Sequence, residues 1–145
     1  MTKNGIPEVL APAGDMERLE AALRYGADAV YLGGKLHSMR SAPKNFTLEE
    51  LEQGCKKAHE KGARVYCAVN TLLNNDEVAE LPGYLRQLRD CGVDAFIVAD
   101  MGVFLLARRE VPEVELHIST QAGVTNYLTA RELHALGAKR VVLAR

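Results

Sequence analysis

Cysteine is scarce in this chain, and its three copies are far apart. Cys55, Cys67 and Cys91 show neither the paired Cys or His spacing of a zinc site nor the ligand spacing of an iron–sulfur cluster. They read as reduced, mostly buried thiols, and the four histidines are too scattered to form a metal set. Long hydrophobic runs are missing too. Nothing approaches the roughly 20 apolar residues that span a bilayer, and MTKNGIPEVLAPAG lacks the apolar segment of a secretory signal. A cytoplasmic location is the resulting expectation. Neither sign of charge is in excess: 18 Lys and Arg face 19 Asp and Glu, for a net charge of -1. That argues against a strongly basic nucleic-acid surface but leaves room for a local basic groove. Among catalytic signatures, H-E-x-x-H, G-x-S-x-G and the Walker A sequence do not occur, and APAGDMERL lacks the G-x-G-x-x-G of a dinucleotide fold.

What is present is a repeated phrase. YGADAVYLGG, KGARVYCAVN, CGVDAFIVAD and LGAKRVVLAR each set a glycine, a small residue and one or two polar residues before an apolar run. The runs are short, β-rich and continuous rather than alternating, which suits parallel strands buried on both faces. Helical spacing fills the intervals: Leu19, Ala22 and Leu23 share a face, as do Leu48, Leu51, Cys55 and Ala58, then Leu81, Leu85 and Leu88, then Val103, Phe104 and Ala107, then Leu133 and Leu136 with Leu128 more loosely placed. Asp15, Thr47 with Glu50, Asn75 or Asp76, and Asp100 are expected helix caps. Gly26, Gly62, Gly92 and Gly137 follow the helix ends, where left-handed backbone costs glycine least.

The phrase is therefore a helix cap, a tight turn and an inner strand. Strand and helix alternate five times and a sixth strand follows, so the fold class is α/β with a parallel sheet. An open doubly wound sheet and a (βα)8 barrel both fit that alternation. The regular repeat and the missing dinucleotide fingerprint favour the N-terminal portion of a (βα)8 TIM-type barrel. A barrel closes at eight strands, so residues 1–145 are expected to be one incomplete βα-barrel domain, truncated after the strand ending at Arg145.

Barrel enzymes work at the carboxyl ends of their strands. Here those tails are polar and unlike one another. The substrate-binding candidates drawn from them are Arg40, Asn45, Asn70, Gln121, Asn126 and Arg145. Arg40 and Gln121 lead because each lies in a strand-end loop where a buried polar group needs a partner. No catalytic group is identified. His117 and Ser119, two apart on one strand, share a face and are candidates for a nucleophile and base, against the plainer role of polar barrel filling. His59 and His134 are expected to be solvated. His37 has a route to the site.

Taken together, LAPAGDMERLEAALRYGADAVYLGG, the Asn45-Phe46 pair, VNTLLNNDE, DAFIVADMG, LHISTQAGVTN and GAKRVVLAR resemble peptidase family U32, the collagenase-like proteases. Arg40 and Asn45 match the family pattern, while His37 and Met39 stand where an aromatic and a leucine are usual. The resemblance implies a TIM-type barrel and two activity classes. One is proteolysis of collagen-like or other peptides. The other is hydroxylation of a tRNA or rRNA base or a quinone ring, with prephenate as a possible co-substrate and, in some members, an iron–sulfur cluster held by cysteines later in the protein. RNA hydroxylation is the favoured expectation and peptidase activity the alternative. A third possibility is an inactive fragment or binding module that associates through open strand edges.

Overall fold

An aspartate explains why the phrase repeats. In the computed structural model, which describes residues 6–35, 45–71 and 73–145, Gly26 and Gly92 leave their helices with φ of 88° and 93°. That left-handed turn is open to glycine and strained for other residues. It delivers Asp28 and Asp94 to the neighbouring strand. Asp28 N–H donates to the Val9 carbonyl at 3.0 Å, and Val9 N–H donates back to Asp28 Oδ2 at 2.8 Å. Asp94 repeats the exchange with Val65 at 2.9 and 2.7 Å. Each aspartate thus clasps an incoming strand to its predecessor with two hydrogen bonds.

The elements run β1 (Leu10–Pro12), α1 (Met16–Arg24), β2 (Ala29–Gly33), α2 (Leu48–Glu60), β3 (Arg64–Val69), α3 (Asn75–Asp90), β4 (Ala95–Val98), α4 (Met101–Glu110), β5 (Glu115–Ile118), α5 (Tyr127–Ala135) and β6 (Arg140–Val141). A 3-10 turn at Thr120–Ala122 follows β5. All six strands are parallel, and their spatial order is β1-β2-β3-β4-β5-β6. This order decides between the two candidate folds. A doubly wound sheet reverses its order at a switch point, whereas a barrel adds each strand beside the last. The chain is a six-stranded portion of a TIM-type barrel with five helices.

Side-chain alternation along the strands separates two environments. Val30, Leu32, Val65, Val69, Phe96 and Val98 face the helices and pack with Leu19, Leu51, Leu85, Leu88 and Phe104 in one buried core. Each fully buried side chain of this size contributes about 1.5–3 kcal/mol, so this layer is the principal source of stability. Ala29, Tyr66 and Ala95, with Tyr31 and Ile97, form a separate small cluster on the opposite, concave face.

The caps agree with the sequence at Asp15, Thr47 and Asp100. Helix α3 differs. Asn74 is its cap, accepting from the amides of Asp76 and Glu77, and Glu77 Oε2 accepts from Asn74 N–H. The capping box is thus Asn74 with Glu77, one residue ahead of the expected start. In α5 only Leu133 is buried, while Leu128 and Leu136 are exposed. The two histidines expected in solvent are exposed, and each also finds a polar partner. His59 Nε2 lies 2.9 Å from Asp94 Oδ2, and His134 Nδ1 lies 3.0 Å from the Ala138 carbonyl.

Candidate functional site at the carboxyl ends of the strands

The concave face has two storeys. The lower one, toward the amino ends of the strands, is a charged network around the buried ring of Tyr66. Its hydroxyl donates to Glu8 Oε2 at 2.8 Å, and Arg140 Nη1 donates to Glu8 Oε1 at 2.8 Å. Arg64 pairs with Glu115 at 3.0 Å, and Glu115 lies 3.3 Å from His117 Nε2. The guanidinium groups of Arg64 and Arg140 lie 5.4 and 5.2 Å from the Tyr66 ring centre, and His117 meets it edge-on at 4.7 Å.

These contacts set the protonation states. Burial pushes the Tyr66 phenol up to about 12, reinforced by its hydrogen bond to Glu8. Burial lowers His117, with the Arg140 charge acting the same way and Glu115 opposing. For Glu8, burial disfavours the carboxylate, but hydrogen bonds from Arg140 and Tyr66 outweigh it and hold the group below its usual range. Glu115 is lowered in the same manner by Arg64 against its own burial.

The upper storey is a cavity of about 690 Å³. Leu10, Pro12, Tyr31, Ile97 and Val142 give it an apolar wall, and Arg18, Asn45, Asn70, Ser119, Thr120 and Gln121 bring polar groups. An apolar hollow with a few convergent polar groups at this end of the strands is the usual form of a small-ligand site. Asn70 Nδ2 donates to Gln121 Oε1 at 2.8 Å, and Ser119 Oγ donates to the same oxygen at 3.2 Å. Asn45 is buried and its Nδ2 donates to the Gly34 carbonyl at 3.2 Å. There Gly34 and Phe46 pair in a parallel bridge.

The structure brings Asn45, Asn70, Gln121 and Ser119 to one cavity. Asn126 sits apart as the cap of α5, accepting from Thr129 N–H at 3.0 Å. Arg145 is exposed and does not border the cavity. Arg40 and His37 lie outside the described residues. His117 and Ser119 share the concave face, yet they turn to different partners: His117 to Glu115 and Tyr66, Ser119 to Gln121.

Sequence reasoning missed Arg18, which α1 projects to the cavity rim, where it meets Asp15 at 3.5 Å. It also missed the lower network. Counting by twos down β3 from Asn70 through Ala68 and Tyr66 to Arg64 was the available signal, because alternate residues share a face.

The thiols do not fit an iron–sulfur cluster. Cys55 and Cys67 are buried in the helix-facing core, with burial raising both, Cys67 to about 12. Cys91 donates to the Leu48 carbonyl. Among the described residues, no group of three or more His, Cys, Asp or Glu could hold a metal ion, and no helix is long and apolar enough to cross a membrane.

Comparison with known proteins joins this geometry to a lineage. The sequence model of peptidase family U32 matches residues 14–145. The chain belongs to peptidase family U32. Among U32 relatives, it is 42% identical over 139 residues to tRNA hydroxylation protein P1 of Bacillus subtilis (strain 168), covering 96% of this chain and 33% of that protein. It is 37% identical over 138 residues to the 23S rRNA 5-hydroxycytidine C2501 synthase of Escherichia coli (strain K12), covering 95% of this chain and 20% of that protein. The chain thus spans a third or less of the length of these curated relatives. The solved U32 peptidase Mk0906 superposes with a TM-score of 0.79 at 19% identity, over 99% of this chain and 61% of that one. At that identity the likeness speaks for the fold.

Proposed function

We propose that this chain is part of a U32 protein that hydroxylates a base of tRNA or rRNA, and that the cavity at the strand ends receives the base. The similarity to relatives named for RNA hydroxylation, spanning 95% or more of the chain, carries this reading. The cavity's chemistry supports it. Tyr31 and Ile97 offer flat apolar surface, and Asn45, Asn70 and Gln121 offer hydrogen bonds to a heterocycle edge. Of the candidates drawn from the strand tails, Asn45, Asn70 and Gln121 are proposed as substrate contacts and Arg40 as a further one. Should prephenate serve as co-substrate, Arg18 at the rim would meet its carboxylates. Any iron–sulfur cluster would need ligands other than Cys55, Cys67 and Cys91. The separate partners of His117 and Ser119 give the peptidase alternative no support.

The test is nucleoside analysis of tRNA and rRNA from a strain lacking the gene. Disappearance of a hydroxylated pyrimidine, and its return on complementation, is the expected result. An unchanged nucleoside profile would refute the reading. A second reading, a binding module without activity of its own, has one favouring observation: apolar residues at the sheet edges, Leu10, Val142 and Leu143, are exposed. Size-exclusion chromatography of the 145-residue chain tests it, since edge association would give a concentration-dependent larger species.

A further inference from the structure

In the upper cavity one amide is oriented by its neighbours, and among the described residues its donors have no acceptor. Gln121 follows β5 in the 3-10 turn that Ser119 caps, with Gln121 N–H donating to Ser119 Oγ at 3.4 Å. Its carboxamide oxygen takes two donors, Asn70 Nδ2 and Ser119 Oγ, which fills both lone pairs of Oε1. Turning this amide over would set Nε2 against the Asn70 Nδ2 donor and lose that bond, although the Ser119 hydroxyl could accept in place of donating. Nε2 is therefore held away from Asn70, and among the described residues neither of its N–H groups has an acceptor. Gln121 is exposed and borders the cavity, so a ligand there is positioned to accept from it.

We infer that Gln121 is a specificity-determining residue that presents donors to the cavity and selects a ring carbonyl over a ring amino group. The inference rests on the proposal that the cavity receives a nucleobase. Its chemistry is that of donor and acceptor matching. A carbonyl oxygen accepts from the amide, whereas an exocyclic amino group places donor against donor and leaves both unpaired. Uracil carries carbonyls on both sides of its ring nitrogen and satisfies Gln121 in either in-plane orientation. Cytosine does so in one only. Asn70 and Ser119 act through Gln121 as positioning residues, fixing which end of the amide faces the ligand.

The experiment is a calorimetric or NMR titration of the 145-residue chain with uridine monophosphate and with cytidine monophosphate. The parent chain is expected to bind the uridine nucleotide about tenfold more tightly. Gln121→Glu replaces the donor by an acceptor of the same shape and is expected to shift that ratio toward the cytidine nucleotide by tenfold or more. Gln121→Met keeps the volume without hydrogen bonding and is expected to abolish discrimination. Unaltered thermal midpoints would show that these rim substitutions leave the fold intact. An equal ratio in parent and both variants overturns the inference, as does the absence of saturable binding of either nucleotide. The result separates from the functional reading. Loss of a hydroxylated nucleoside in the gene-deleted strain, together with an unmoved ratio, would leave hydroxylation standing and remove Gln121 from recognition. A shifted ratio with unchanged cellular RNA would do the reverse.

Discussion

Breaking the link between Glu8 and Arg140 tests whether the lower network stabilises the open sheet. The two residues are far apart in sequence, and their 2.8 Å contact ties the segment entering β1 to β6 across the concave face. The gross attraction of two unit charges about 4 Å apart at an effective dielectric near 20 is about 4 kcal/mol. Desolvation removes much of that. The side chains are 32% and 17% exposed, between a surface pair, where coupling is about 0–1 kcal/mol, and a buried one, where removing a partner costs about 3–5 kcal/mol. A coupling of about 1–2 kcal/mol follows. Arg140→Gln should cost somewhat more than the coupling, since the arginine also lies over the Tyr66 ring, worth about 0.5–1 kcal/mol. The assay is a double-mutant cycle of Glu8→Gln and Arg140→Gln followed by urea unfolding. In a chain of this size each kcal/mol also lowers the melting midpoint by roughly 4 °C. Strict additivity, with coupling under about 0.3 kcal/mol, would refute the reasoning. The network would then be filling space without binding the edges together.

Other consequences are as specific. Asn74→Ala removes the oxygen that accepts from two amides of α3 and should cost about 1 kcal/mol by urea unfolding. Ala at Asn75 should be close to neutral. Gly34→Ala would place a methyl 2.0 Å from the Tyr84 hydroxyl oxygen. It should destabilise by about 1–3 kcal/mol as overpacking does, and Tyr84→Phe in the same chain should restore part of that; no recovery would mean that the clash is elsewhere. The chain should lose stability at both extremes of pH. His117 is held below its ordinary 6.5, so the unfolded chain takes the extra proton and stability declines below about 6.5. Glu8 and Glu115, held below 4.5, add a further loss as pH falls under that value. Tyr66, raised from 10.0 to about 12, gives the opposite slope, with stability lost as pH climbs through that interval. Melting midpoints measured across pH, with His117→Gln and Tyr66→Phe as controls, check each arm.

The alternation of strands and helices was legible in the sequence because it is written in local chemistry. Continuous apolar runs such as Ala29–Leu32 can be satisfied only by burial on both faces, and glycine after a helix marks where the backbone must turn left-handed. Boundaries slipped where two residues competed for one job. Asn74, Asn75 and Asp76 can all cap a helix, and only the position from which Glu77 reaches back decides among them. His59 and His134 are exposed as expected, but their partners were not legible. His59 has an exposed helical neighbourhood in sequence, but the turn after Gly92 carries Asp94 to its ring.

By itself the sequence determined the class of fold, the repeating turn, most caps, and the family to which the chain belongs. These depend on residues near one another along the chain, or on whole phrases that survive comparison. Tertiary structure alone supplied the strand order, which bears out the barrel that the regular repeat and the missing dinucleotide fingerprint favoured in sequence, because alternation by itself is common to both folds. It also decided which polar residues meet. Asn70 and Gln121 come together only through the parallel register of β3, β4 and β5, while Asn126, equally polar in sequence, is consumed by its helix. The Tyr66 network depends on six side chains converging from four segments of the sheet. No local pattern encodes such a meeting, because each member finds its partner only once the strands have curved toward one another.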